Sequence, residues 1–399
     1  MNPKLREHWT LDSDFIFLNH GSFGAVPSEV QAYRSSLCKE MEAQPVRFLA
    51  RELPAVLDEN RAALAAFVGC AQSDLALVPN ATYGINSVLG SYPLSPGDRL
   101  LVTDHEYNAC RNALDAVAQD KGAAVDVVEL PLAPSSAEEV VDLVLDAVRA
   151  ETKLALVDHI TSGSALLLPA KEIIEGLHGK GVHVLIDGAH GPGHVPLNME
   201  ALGADFYTGN CHKWMGTPRG CAFLFVRPEH QDWLKPAVVS HGRNAPLVDG
   251  RTRFQEEFEW GGTTDPTPWM CIKVAIDVMG SMVAGGWPEI MERNRALARE
   301  VRDFLATAFS GQDGVSDLLL PSMVSFRLPD GKSEDLHLKL VDAGFEVPVM
   351  SWPPNISPVS TVPGGESGRV LRVSCQLYND FSDYERLMEV LPSLVDAPL

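Results

Sequence analysis

The run His183-Val184-Leu185-Ile186-Asp187-Gly188-Ala189-His190 decides the architecture. Val184, Leu185 and Ile186 form an unbroken apolar strand with no polar face. Such runs belong to strands covered on both sides, as in a parallel sheet between helices. Outward from it the pattern repeats. Leu75–Val78, Arg99–Thr103, Ala124–Glu129, Lys153–Asp158, Asp205–Thr208 and Cys221–Val226 read as further strands. Helical patterns at Asp58–Val68 (closed by Gly69), Ala109–Lys121 and Ala137–Ala150 lie between them. The expected fold class is α/β, with a large domain over residues 21–268 whose mostly parallel sheet is flanked by helices. After about Pro268 the pattern changes. Helical Met270–Phe309, strand-like Ser322–Leu328, helix Ser333–Ala343, strand Arg369–Ser374 and helix Asp380–Leu391 suggest a smaller α+β C-terminal domain over 269–399. Residues 1–20 are expected to pack on it as an N-terminal segment.

Asp187 ends the deciding strand, and Lys213 follows 26 positions later in Asn210-Cys211-His212-Lys213-Trp214-Met215-Gly216. A lysine at a strand end can sit in an enclosed pocket, where desolvation lowers its pKa and frees the amine for imine formation. A lone lysine is more often a surface charge. Asp187 also reads as a helix cap or a metal ligand; no second carboxylate cluster adjoins it in the sequence, so no metal site is expected. A third stretch, Val78-Pro79-Asn80-Ala81-Thr82-Tyr83-Gly84, runs from a strand end into a helix. Free amides there, with the Thr82 hydroxyl, can cradle a phosphate, or can simply be a capped helix start.

These three stretches, in this order, resemble the class V aminotransferase family of fold-type I enzymes dependent on pyridoxal 5′-phosphate (PLP), and within it the isopenicillin N epimerase-like group. The resemblance runs from Phe17-Leu18-Asn19-His20-Gly21-Ser22-Phe23-Gly24 to Arg372-Val373-Ser374-Cys375-Gln376-Leu377-Tyr378-Asn379, almost the whole chain. It implies a Schiff base between PLP and Lys213, with Asp187 against the pyridine nitrogen to keep the ring an electron sink. It also implies a phosphate held by Ala81, Thr82, Asn210 and His212, where Asn210 replaces the serine usual in relatives. Tyr107 falls where an aromatic stacks on the ring, or is a core aromatic. His190 and Ser162 fall near the ring's 3′ oxygen. Arg372 matches the arginine that grips a substrate α-carboxylate with its planar fork, and Asn19 lies in the matching N-terminal motif. Thr263, in Trp260-Gly261-Gly262-Thr263-Thr264-Asp265, would reach the neighbouring subunit's cofactor in a homodimer. Arg47, Arg51 or Arg243 would meet a second polar group on the substrate, unless they form ordinary surface ion pairs.

The chain of 399 residues carries 53 acidic and 32 basic side chains, a net charge of -21, which disfavours nucleic-acid and membrane-surface partners; a small-molecule amino-acid substrate is what the resemblance implies. Its seven scattered cysteines, without CxxC pairs, argue against a disulfide framework or a zinc site and fit a reducing cytoplasm. Residues 1–10 lack the apolar core of a signal peptide.

The reaction itself is open. Epimerisation or racemisation, placed first on resemblance, needs a proton donor opposite Lys213, for which Tyr107 and His105 are candidates. β-Elimination by a C–S lyase needs only Lys213 and a leaving group at Cβ. Transamination comes third. Relatives that are cysteine desulfurases carry a nucleophilic cysteine before the final strand. No cysteine lies between Cys271 and Cys375 here, which disfavours that reaction. Retention of Lys213 argues against a non-enzymatic binding module.

Overall fold

The computed structural model describes residues 3–308, 315–352 and 368–395. Twelve strands occur among them: β1 (Ile16–Phe17), β2 (Leu75–Val78), β3 (Arg99–Thr103), β4 (Ala124–Val128), β5 (Thr152–Asp158), β6 (His183–Asp187), β7 (Phe206–Asn210), β8 (Ala222–Val226), β9 (Met323–Leu328), β10 (Phe345–Glu346), β11 (Val349–Trp352) and β12 (Gly368–Ser374). β2 to β8 form one seven-stranded sheet in the order β2-β8-β7-β6-β5-β3-β4. β8 runs antiparallel to both its neighbours, while the pairs from β7 to β4 are parallel.

The unbroken apolar strands do what their composition dictates. Val184, Ile186, Phe223 and Phe225 enter one hydrophobic core, whereas Leu185, Ala222, Leu224 and Val226 enter the core on the opposite face. Successive side chains of a strand point to opposite faces, so a strand covered on both sides needs no polar positions. The first core also takes Leu57 and Leu64 of helix Leu53–Val68, and the second takes Ile85 and Val88 of helix Ala81–Ser91.

A smaller α+β unit follows. β11, β12 and β9 form an antiparallel sheet, backed by helices Gly286–Ala308 and Phe381–Leu394 through Val301, Leu305, Leu387 and Leu391. β1 pairs in parallel with β10, and Leu18 is buried in the same core. Met270–Phe309 was expected as one helical region; it holds two helices, Ile272–Ser281 and Gly286–Ala308, and the last residue of a third, Thr267–Met270, with Phe309 outside the described residues. The last helix opens on Gly286, whose φ of 63° suits glycine. Ile272 and Ala275 pack in the large core and Ala298 in the small one, so core membership changes between them.

The sheet brings Asp158, Asp187 and Asn210 to the carboxyl ends of three adjacent parallel strands, the edge where α/β sheets bind ligands. β7 extends two residues beyond the expected strand end, which places Asn210 in the sheet. Gly84 lets helix Ala81–Ser91 lie against β7, since a Cβ there would stand 2.4 Å from Thr208 Oγ1. The helix thereby presents its N-terminus at the same edge.

Arg61 is fully buried, with Nη1 2.6 Å from Glu259 Oε2 and Nη2 bonded to Asp58. Glu259 Oε1 also accepts the Leu77 amide of β2 at 3.3 Å. Removing one partner of a buried pair leaves a charge without its counterpart. Arg61→Met should lower stability by about 3–5 kcal/mol in urea denaturation, and adding Glu259→Gln should recover part of the loss.

Candidate active site

A cavity of about 270 Å³ opens at the carboxyl edge of the sheet, lined by Ser22, Asn80, Ala81, Thr82, Tyr107, Asp158, Ser162, Asp187, His190, Asn210, His212 and Lys213 among others. The wider depression of about 590 Å³ near Trp9, Gln31 and Arg219 has no comparable set of reactive groups.

Lys213 follows β7 through a turn held from both sides. Gly24, at φ 69°, approaches its backbone so closely that a Cβ would stand 2.5 Å from Lys213 O. His20 Nε2 donates to Lys213 O at 3.1 Å, while its Nδ1 accepts from the Tyr378 hydroxyl at 2.8 Å. The ε-amine lies 3.1 Å from His190 Nε2. Trp214 Nε1 donates to His190 Nδ1 at 3.3 Å, so the proton of a neutral imidazole belongs on Nε2, facing the amine. That arrangement suits an unprotonated lysine. Burial, and then the charge of Arg372, bring Lys213 down to about 8, and burial holds His190 well below the ordinary histidine range.

Asp187 faces the cavity from the end of β6. Its Oδ1 accepts the Ala189 amide at 2.8 Å, and its Oδ2 accepts from Cys110 Sγ at 3.1 Å. Sequence alone showed no carboxylates beside it; the fold supplies two. Asp158 stands opposite Asp187 in the β5–β6 register, and Glu106 lies close enough to interact with both. Burial, reinforced by the neighbouring carboxylates, raises Glu106 and Asp158 well above the usual carboxylate range. Cys110, Glu106 and Asp158 were not anticipated as site residues. Asp158 had a legible signal, because β5 and β6 both end in Asp after an apolar run.

At the helix start, Asn80 Oδ1 caps the Tyr83 amide at 2.8 Å. The Ala81 amide, expected to face a phosphate, donates instead to Asn210 Oδ1 at 2.9 Å. The Thr82 amide therefore has no acceptor among the described residues. His212 uses Nδ1 on Cys221 O at 3.0 Å, and burial brings it down to about 4, so Nε2 remains for the cavity.

Arg372, on β12, is buried behind this wall. Its Nη1 donates to Ser162 O at 2.9 Å, and its Nη2 to Ser22 Oγ at 3.0 Å and Asn19 Oδ1 at 3.3 Å. Its Nε is buried with no hydrogen-bond partner among the described residues. Tyr107 borders the cavity half-exposed. His105, the other candidate acid, is buried with Nδ1 on Ser164 Oγ at 2.7 Å and Nε2 on Leu130 O at 3.0 Å. Burial brings it down to about 4. Thr263 lines a separate cavity with Tyr83, Arg219 and Asp265. Arg47 pairs with Glu52 at 3.2 Å, and Arg243 with Glu257 at 3.2 Å, and neither lines the Lys213 cavity.

These residues fit PLP. A buried carboxylate suits the pyridinium, a desolvated amine suits the aldehyde carbon, and the Thr82 amide beside Asn210 and His212 suits the phosphate. The unpartnered Asp158 Oδ2 and Arg372 Nε mark polar capacity that the protein alone leaves unmet. The raised carboxyls also carry a stability consequence. Asp158 keeps its proton in the folded state at pH values where the unfolded chain has lost it, so stability falls as pH rises above the ordinary carboxylate range near 4. Asp158→Asn should raise the melting temperature of the cofactor-free protein at pH 8 and leave it unchanged at pH 3.

The family described as aminotransferase class V matches residues 25–387. The isopenicillin N epimerase of Amycolatopsis lactamdurans is 33% identical, over 98% of this chain and 97% of its own. The protein named "Probable L-cysteine desulfhydrase, chloroplastic" of Arabidopsis thaliana is 28% identical, over 96% of this chain and 84% of its own. A cysteine desulfurase of Thermococcus onnurineus superposes with a TM-score of 0.82 at 19% identity, covering 99% of this chain and 98% of its own. No helix of the described residues is long and apolar enough to cross a membrane. The chain belongs to the class V aminotransferase family of PLP-dependent, fold-type I enzymes.

Proposed function

We propose that the chain is a C–S lyase that removes a sulfur leaving group from the Cβ of a cysteine-type amino acid. The observation that carries this reading is that one base, Lys213, is buried at the reacting position while His105 is neutral with both nitrogens committed. Elimination needs that single base; inversion at Cα needs an acid on the opposite face as well. The desulfhydrase relative supports the same choice.

PLP, when bound, supplies the sink for the electron pair left on Cα. The remaining work falls to the protein. Lys213 takes the Cα proton. Asp187 holds the ring-nitrogen proton, and Cys110 and the Ala189 amide fix its carboxylate. Arg372, steadied by Asn19, Ser22 and Ser162, is the group that meets the α-carboxylate and sets the angle of Cα. Thr82, Asn210 and His212 hold the phosphate, and Tyr107 covers the ring.

Epimerisation is the second reading, favoured by the epimerase relative and by Tyr107, whose phenol borders the cavity as the one candidate opposite acid left among those considered. The active unit is proposed to be a homodimer, with Thr263 serving the partner's phosphate. The separate cavity of Thr263, which shares Tyr83 with the helix that carries Thr82, supports that placement.

With L-cysteine or L-cystine, the lyase should release pyruvate and ammonia in equal amounts, and Tyr107→Phe should change the rate by less than about tenfold. Racemisation without pyruvate, or α-proton exchange in heavy water that Tyr107→Phe restricts to one enantiomer, would establish the epimerase. Asp187→Asn should keep the cofactor yet lower turnover on the order of a hundred-fold. Thr263→Ala should weaken cofactor retention in gel filtration; a fully active monomer would contradict the dimer.

A further inference from the structure

On the sheet edge remote from Lys213, three histidines converge on one carboxylate. Asp205 leads into β7, His183 opens β6, His230 lies in the short helix Pro228–Gln231, and His178 ends helix Ala170–Gly179. Asp205 Oδ2 accepts from His178 Nε2 and from the Val184 amide, both at 2.8 Å. Its Oδ1 lies 3.1 Å from His230 Nε2. One ligand atom from each of His183, Asp205 and His230 lies within 4.8 Å of the other two.

Tyr92 fixes the tautomer of His183. Its hydroxyl donates its one proton to Lys153 O at 2.9 Å, so towards His183 Nδ1, at 2.7 Å, it can only accept. The imidazole proton is therefore on Nδ1. Nε2 is left as a bare lone pair, with no hydrogen-bond partner among the described residues. The His183 and His230 rings lie 4.8 Å apart, with Phe206 and Trp233 against His230 at 4.9 and 5.7 Å. A structural network would account for Asp205 with His178 and His230. It does not account for a third histidine held with its lone pair free.

We propose that His183, Asp205 and His230 form a binding site for a divalent transition-metal cation of the zinc type, with His178 or water as a fourth ligand. Two imidazoles and one carboxylate suit zinc rather than magnesium or calcium, which prefer all-oxygen sites. Ligand atoms around tetrahedral zinc stand about 3.3 Å apart, so closure from the present spacing asks for side-chain movements of about 1–2 Å. The three ligands come from the starts of β6 and β7 and from the turn after β8. A cation there would pin three adjacent strands about 13 Å from Asp187, at about 3.3 Å per residue along β6. Hydrogen bonding by Tyr92 is the outer-shell contact that orients a metal-ligating histidine.

The test uses tag-free holoenzyme stripped with a chelator. Titration with Zn²⁺ in a calorimeter should show one cation per chain with a Kd on the order of 1 μM or tighter. Co²⁺ should give the visible bands of a tetrahedral nitrogen and oxygen site. His183→Gln should weaken binding at least tenfold without lowering the metal-free melting temperature, and Tyr92→Phe should weaken it about tenfold. Cys110→Ser, which alters the cavity by Lys213, should leave Zn²⁺ binding unchanged. Undetectable binding, or binding that both His183→Gln and Tyr92→Phe leave intact, would overturn the site. Should His183→Gln fail to fold, Tyr92→Phe alone decides.

Discussion

Burial of one amine among ionisable neighbours is the constraint on which this structure turns. Lys213 sits out of water, where an ammonium is costly, and the protein offers it a neutral histidine rather than a bonded carboxylate. A salt bridge in that position would have held the proton on the lysine. Instead Asp187 is engaged by Cys110 and the Ala189 amide, and Asp158 and Glu106 share the carboxylate side of the cavity in forms that burial keeps protonated. Basic and acidic groups thus share one enclosed region without forming an ion pair with Lys213 among the described residues. Electrostatics of this kind costs stability, and such costs are found where chemistry needs them.

The rest of the fold maintains that arrangement. Parallel strands bring three acidic or amide side chains to one edge, and Gly84 allows a helix N-terminus to lie beside them. The smaller unit contributes Arg372 through β12, and the N-terminal segment contributes Asn19, Ser22 and the His20 that ties down the Lys213 carbonyl. Segments more than 300 residues apart in the chain therefore meet around one guanidinium. The site exists only when both units are folded and docked.

Much of the fold was legible beforehand because it rests on local pattern, apolar runs without alternation reading as doubly covered strands. Lys213, Asp187 and Thr82 stood out only through the order of their motifs, which resembles that of the class V aminotransferase family. What was missed depends on register and on distance in sequence. Nothing local to Asp187 shows that Asp158 is its neighbour on the next strand, or that Cys110, one turn into a helix, points at it. The Ala81 amide, expected beside Thr82 at a phosphate, meets Asn210 Oδ1 instead, because β7 runs two residues longer and carries Asn210 to it. His105 reads as a candidate acid in sequence; in the fold its two ring nitrogens face Ser164 and Leu130, which are 59 and 25 residues away in the chain.

The central claim is that the Lys213 amine is the covalent attachment point of PLP. Borohydride treatment of the native protein, followed by digestion and mass spectrometry, tests it directly. The account predicts a phosphopyridoxyl group on Lys213, in the peptide that contains Asn210-Cys211-His212-Lys213. A label on any other lysine, or native protein that carries no PLP, would contradict it.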